Sequence, residues 1–207
     1  VETKYRNRTY VVDFDDFCDN TVDELDSLSE LKDKYPELVC TLFTIPSRTS
    51  PSTIAKAKAL GDWVKLAPHG YFHTKGECIA WTDTEAVDKI AAARAMGIDE
   101  ECFRAPAWLL DDDTYSACGR MGYVLATHRE FRIPRSRRTN QIYGGGGIHE
   151  YVYNAPWGRE RGTRAVHGHL TPVSGNYIKD MLADGRLAFR NKCKFMTCVD
   201  AAVEIQS

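Results

Sequence analysis

The stretch VVDFDDFCDN, residues 11–20, carries an apolar run into three aspartates within four positions. YVVDF, residues 10–14, reads as a first β-strand. Asp13, Asp15 and Asp16 at its end repel one another unless a cation or a proton lies among them. They are either solvated turn residues or part of a site. The choice depends on what else the chain brings to the same place.

Outward from this strand, β-type runs alternate with helical patterns. Thr21-Val-Asp-Glu24 has the form of a capping box, and Val22, Leu25, Leu28 and Leu31 follow at helical spacing up to Pro36. LVCTLFT (38–44) predicts a second strand, and Pro51 to Leu60 a helix stopped by Gly61. WVKLA (63–67) predicts a third strand. A second capping box, Thr82-Asp-Thr-Glu85, opens an alanine-rich helix ended by Gly97. CFRAP (102–106), a helix from about Asp111 to Met121, and YVLAT (123–127) come next. TRAVHGH (163–169), a helix over Asn176–Ala183, and KFMTC (194–198) before a terminal helix complete the series. Such alternation implies a parallel sheet with helices outside it. The fold class expected is α/β, a closed or nearly closed (β/α) barrel of about seven parallel strands, with functional groups at the C-terminal strand ends. An open doubly wound sheet is the alternative. Residues 1–207 read as a single domain. Gly144–Gly147 lies in an irregular Arg- and Gly-rich insertion at about 129–160, read as a flexible loop.

Composition narrows the function. The 207 residues carry 43% hydrophobic and 27% charged side chains, ordinary for a globular domain. A net charge of −2 gives no bulk attraction for nucleic acid, and no apolar stretch reaches the roughly 20 residues of a membrane span. The seven cysteines are odd in number and lack Cys-x-x-Cys spacing, which argues against a disulfide framework and a Cys-rich zinc module. With no signal peptide at VETKYRNRTY, the expected setting is reducing and cytoplasmic, although a start at Val1 leaves room for a removed leader.

The opening aspartates can now be weighed. Asp15 and Asp16 end the first strand. His69 and His73 follow the third in PHGYFH, Arg104 and Pro106 end the fourth in FRAPAW, and His167 and His169 end the sixth in VHGH. A barrel brings these ends to one rim. Two histidines and a carboxylate suit Zn²⁺ and related divalent ions with positions left open for water. The HExxH pattern is absent, and Pro68 and Gly70 around the first His predict a shaped loop instead of a long helix. Each residue alone has an ordinary explanation, but their joint placement on four strand ends does not.

Asp13-Phe14-Asp15-Asp16, His69-Gly-Tyr-Phe-His73, Phe103-Arg104-Ala-Pro106 and the VHGH histidines resemble, in order, the motifs of the polysaccharide deacetylases, the NodB-homology enzymes of carbohydrate esterase family 4. The resemblance runs from about Tyr10 to KFMTCVDAA and implies a distorted (β/α) barrel of about seven strands. It implies that Asp16, His69 and His73 bind a divalent metal, Zn²⁺ first, with Co²⁺ or Ni²⁺ as alternatives. It makes Asp15 the general base, Arg104 its partner, and the backbone N–H of Ala107, after Pro106, an oxyanion donor. A VHGH histidine is then the general acid, His169 slightly ahead of His167. The reaction implied is removal of an N-acetyl or other acyl group from an amino sugar or glycan by metal-activated water.

The sequence departs from the family pattern in places. Asp13 stands where a Thr or small residue is usual; it exchanges roles with Asp15, adds a ligand or is a buried hydrogen-bonding carboxylate, and supporting structure is the reading taken. Ala107 replaces a common aromatic, with Trp108 as a candidate to pack against substrate. No Asp/Trp motif follows the fifth strand; THREFRIPRSRR (127–138) stands there, with Arg129, Arg132, Arg135, Arg137 and Arg138, followed by Arg159, Arg161 and Arg164. These arginines are either a solvated face or a site for phosphate or carboxylate on the substrate. Glu77 reads as a surface residue and His128 and His149 as ordinary loop residues. Trp81 and Trp157 are either a sugar platform or core. The competing function is a catalytically silent member of the fold that binds a glycan or an anionic polymer.

Overall fold

The computed structural model describes residues 9–126, 149–152, 164–170 and 194–201. They contain eight strands: β1 Thr9–Phe17, β2 Cys40–Thr44, β3 Val64–Pro68, β4 Cys102–Phe103, β5 Val124–Leu125, β6 His149–Val152, β7 Arg164–His169 and β8 Lys194–Met196. Five helices are interleaved: α1 Glu24–Lys34, α2 Pro51–Ala59, α3 Glu77–Ala80, α4 Asp83–Ala95 and α5 Asp112–Arg120. Every strand pairing is parallel. The order is β3-β2-β1-β7-β6, with β8 also on β1, and β4 pairs with β5.

β1 is the centre, and period-two alternation gives it two different faces. Val12 and Phe14 pack with Leu25, Leu28 and Leu31 of α1 and Ile54 and Ala57 of α2. Val11 faces the other way, into a cluster of Phe43 from β2, Ala67 from β3, Cys102 from β4 and Met196 from β8. Asp13 and Asp15 share the alternation of Val11, so the carboxylates stand above this apolar floor on the concave side.

A bridge between His69 and Arg104 ties the ends of β3 and β4. On a flat sheet, Arg104 would then lie four strand spacings, about 19 Å, from β7. Its Nη1 is 2.9 Å from His167 Nδ1. The sheet is therefore rolled, not flat. Among the described residues no pairing joins β5 to β6.

The seven expected strands are all present, and β6 is an eighth. It lies inside the segment read from sequence as an irregular loop, pairing with β7 from His149↔Arg164 to Val152↔His167. His149 is thus a strand residue. The expected helix at 176–183 and most of the Arg-rich segment lie outside the described residues. Among the described residues Cys18, Cys40, Cys78, Cys102, Cys118 and Cys198 are buried and form no disulfide. No described helix is long and apolar enough to cross a membrane.

The two capping boxes have different outcomes. Thr82 Oγ1 accepts from Glu85 N–H, and Glu85 accepts from Thr82 N–H, as expected. Thr21 does something else: it ends a short 3₁₀ turn, and Asp23 is the N-cap of α1. Its hydroxyl accepts from Cys18 N–H at 2.9 Å and donates to the Asp16 carbonyl at 2.9 Å. It closes the turn that leaves β1, just where the pairing with β2 is interrupted between Phe14 and Phe17. Thr21→Val preserves the shape and strands both backbone groups. The expected loss is about 1–3 kcal/mol, read as a lower midpoint in urea unfolding.

Candidate active site

The concave end of the sheet collects the predicted residues. Asp15 and Asp16 leave β1, His69 and His73 follow β3, Arg104 follows β4, and His167 and His169 lie in β7. The registers Asp13↔His167 and Asp15↔His169 set two carboxylates beside two imidazoles.

Arg104 joins the elements. Its guanidinium donates to Asp13 (Nη1–Oδ1 2.5 Å, Nη2–Oδ2 3.2 Å) and to Asp15 Oδ1 at 2.7 Å, and its Nε donates to the Ala126 carbonyl. The fork is stacked between Phe43, 3.9 Å from the ring centre, and Trp108, 4.4 Å away. Backbone atoms of the same residue hold the next strand end. The Arg104 carbonyl accepts from Gly70 N–H and lies 3.1 Å from His69 Nδ1. With Nδ1 so engaged, His69 turns Nε2 toward Asp15 Oδ2 (3.5 Å) and Asp16 Oδ1 (3.7 Å). His73 Nε2 is 2.8 Å from Asp16 Oδ1. One donor atom from each of Asp16, His69 and His73 falls within 4.8 Å of the others.

Asp13 resolves into a supporting carboxylate, as read from sequence. It is fully buried, and His167 Nδ1 lies 2.7 Å from its Oδ1. A protonated Nδ1 donates to Asp13, which leaves His167 Nε2 3.7 Å from Asp15 Oδ2. Trp108 packs edge-on against the His167 ring, and His169 packs edge-on from another side.

Electrostatics separate the groups. Burial raises the Asp13 carboxyl, but the Arg104 charge and the His167 hydrogen bond outweigh it and hold Asp13 well below the usual range. Burial also opposes ionisation of Asp15, and the charges of Arg104, His69 and His167 overcome it. Asp16 is brought down to about 2, against its burial, by the His73 hydrogen bond and the His69 charge. Burial pushes His69 down, the hydrogen bond to Asp16 pushes His73 up, and His167 is raised despite burial by the Asp15 charge. His169 is lowered, mainly by burial. Asp13, Asp15 and Asp16 thus face one guanidinium among the described residues, and even with His167 charged one negative charge is left in excess in a buried place. A divalent cation at Asp16, His69 and His73 fits that excess and that donor set. Asp15, His167 and His169 also converge within 4.8 Å. Arg104 already supplies their positive charge.

Backbone strain maps onto the same place. The non-glycine residues with positive φ among the described residues are Asp16 (70°), His73 (59°), Ala107 (53°) and Trp108 (61°). Each such conformation costs about 1–3 kcal/mol and persists only where the surroundings enforce it. Ala107, exposed at the rim, and Trp108 follow buried Pro106 in a short 3₁₀ turn. Sequence reading missed Glu77, which is buried and not a surface residue. Its carboxylate accepts N–H bonds from Tyr71, Phe72 and His73, the second half of PHGYFH. A Glu in the polar run TKGE carries no pattern that reveals this. Trp81 is buried against Phe103 and belongs to the core. Trp157 and His128 lie outside the described residues.

Solved structures share this architecture. A family 4 acetyl xylan esterase from Clostridium thermocellum, solved with cobalt, aligns with a TM-score of 0.62 over 95% of this chain and 91% of its own, at 16% identity. The fold is that of the family 4 carbohydrate esterases. The peptidoglycan deacetylase PdaC from Bacillus subtilis aligns at 0.56 over 96% and 91%, at 19% identity. A family 4 pseudoenzyme from Bacillus anthracis aligns at 0.60 over 98% and 66%, at 14% identity. No protein-family model matches the sequence. A search of curated proteins also finds no match.

Two outcomes follow from the charges. Arg104→Met leaves Asp13 and Asp15 as a buried like-charged pair, with an expected loss of about 3–5 kcal/mol in urea unfolding. Arg104→Lys regains only part of it, because an ammonium cannot reproduce the fork. Metal affinity is expected to rise with pH through the raised pKa of His73 and to level off above it. Below that pKa, His73 must give up a proton to become a ligand. Titration with Zn²⁺ in buffers of different ionisation enthalpy measures the proton released.

Proposed function

We propose that this protein is a divalent-metal-dependent hydrolase that removes an acetyl or other acyl group from the nitrogen of an amino sugar, free or within a glycan. The observation that carries the reading is the position of Asp15. Its Oδ2 stands 3.5 Å from His69 Nε2, in the candidate metal-binding set, and 3.7 Å from His167 Nε2, the imidazole held by Asp13. A base, a cation site and an acid therefore meet around one point.

Asp16, His69 and His73 would hold the ion, with Zn²⁺ the first choice for a nitrogen and oxygen donor set. When bound, it supplies Lewis acidity, polarising a carbonyl and making water easier to deprotonate. Asp15, ionised and oriented by Arg104, takes a proton from the water that attacks the acyl carbon. The Ala107 N–H, presented by its left-handed backbone, donates to the oxygen that becomes negative. An amine is expelled only if it receives a proton. His167 is taken as the donor here, ahead of the His169 favoured on sequence, because Asp13 holds its Nδ1 and the charges of Asp15 and Asp13 favour its charged form, whereas burial disfavours that form in His169. Trp108 supports Arg104 and His167 at the rim and contributes an edge to the substrate cleft.

The family 4 likeness supports a glycan substrate, and the pseudoenzyme among the similar structures keeps a silent glycan binder as the competing reading. Here the base, its arginine, the three candidate ligands and the acid are all present, which favours turnover. Phosphate on the substrate rests on arginines almost all outside the described residues.

The test is acetate release from N-acetylglucosamine oligomers and from O-acetylated xylan by protein stripped of metal and reloaded with Zn²⁺, Co²⁺ or Ni²⁺. Release from the amino sugar is expected, and Asp15→Asn should lower it about 10²–10⁴-fold while the metal content stays the same. A full metal complement with no release from either substrate would leave the silent binder.

A further inference from the structure

Glu77 has no place in the chemistry above, yet it is among the few buried charged side chains. Its Oε1 accepts from Tyr71 N–H at 3.1 Å and from His73 N–H at 2.9 Å, and its Oε2 accepts from Phe72 N–H at 2.9 Å. Three successive backbone donors thus converge on one carboxylate, an arrangement that makes an anion-binding concavity. Among the described residues no Lys, Arg or His forms an ion pair with it. A buried carboxylate in that position persists only if hydrogen bonds replace its hydration, and charge-assisted bonds of this kind are the stronger class.

The surrounding backbone is shaped to fit. Gly70 has φ 60°, and a Cβ there would stand 2.1 Å from Glu77 Oε1 and 2.7 Å from Pro106. No other residue type fits without moving the carboxylate or the proline. His73 has φ 59° and lies at the far end of the same segment. The segment between the two candidate histidine ligands is therefore wound around the Glu77 carboxylate.

We propose that Glu77 is a positioning residue of the metal centre, an internal anion that fixes the backbone of residues 71–73 and so aims His73 at Asp16 and His69. This rests on the reading that Asp16, His69 and His73 hold the metal. Glu77 does not contact the ion. It acts through the His73 main chain, which explains why an acidic residue is enclosed where an apolar one would otherwise be cheaper to bury. A carboxamide cannot replace it fully. One end of Gln accepts from Tyr71 and His73, but the other turns an NH₂ toward Phe72 N–H, donor against donor.

The test compares full-length wild type, Glu77→Gln, Glu77→Leu and His73→Ala, using Zn²⁺ competition against a chromophoric chelator and the visible absorption of the Co²⁺ form. Support of ligands through outer hydrogen bonds is ordinarily worth about 10–100-fold in metal affinity. Glu77→Leu is expected to lose that much, with a Co²⁺ spectrum shifted toward that of His73→Ala. Glu77→Gln should fall between Leu and wild type in both readouts. A general loss of stability would not make the Co²⁺ spectrum converge on that of the ligand deletion. If Glu77→Leu does not fold, Glu77→Gln alone decides. Wild-type affinity and an unchanged spectrum in the folded variant would overturn the proposal while leaving the metal reading intact. A wild type that takes up no ion would overturn both.

Discussion

The structure turns on one buried cation. Arg104 bridges Asp13 and Asp15 with its guanidinium and offsets their repulsion, while its carbonyl steadies the His69 ring. Two carboxylates this close could not both remain charged away from water without it. Side chain and main chain of one residue therefore couple β1, β3 and β4. The aromatic rings of Phe43 and Trp108 stack on the planar guanidinium and help hold it in register with its acceptors. Arginine is required on geometric grounds, since the fork serves several acceptors at fixed angles.

Around this cation the carboxylates of β1 divide the labour by position. Asp13, deepest, orients an imidazole. Asp15 keeps one oxygen on Arg104 and turns the other to the cleft. Asp16, inside the irregularity in the pairing and forced left-handed, faces the two histidines of the loop after β3. Thr21 and Glu77 enforce the backbone on the two sides of that group. Both work through main-chain hydrogen bonds, Thr21 accepting from Cys18 N–H and donating to the Asp16 carbonyl and Glu77 accepting three N–H groups, so precision at the site comes from hydrogen-bonded turns. That is where the strain is stored, and the hydrogen bonds around it offset the cost.

Much of this is legible in the sequence, and the reason is periodicity. Strand–helix alternation exposes the parallel sheet, and strand ends announce where chemistry-bearing residues gather. Asp15, Asp16, His69, His73, Arg104 and the VHGH histidines all reach one cleft for that reason. What stays hidden depends on contacts without a linear signature. β6 is four residues in a polar, Gly-rich neighbourhood, and only its pairing with β7 identifies it. The Thr21 motif suits a helix cap and a 3₁₀ turn equally well, and the irregular exit of β1 decides between them. Glu77 is indistinguishable from a solvated glutamate until the loop is folded over it. Asp13 shows its purpose only beside Arg104 and His167, 91 and 154 residues further along the chain.

Those sequence separations have a consequence for synthesis. β1 is made well before its partner β7, which comes more than 140 residues later in the chain. Throughout translation up to that point, a central strand with an apolar face waits with an open edge and a set of mutually repelling aspartates. Local helices such as α1 can form before then, but the cleft cannot, because its acid arrives only with β7. The repulsion that is neutralised in the finished protein then acts as protection. It discourages two nascent copies of β1 from pairing edge to edge before the correct neighbour emerges.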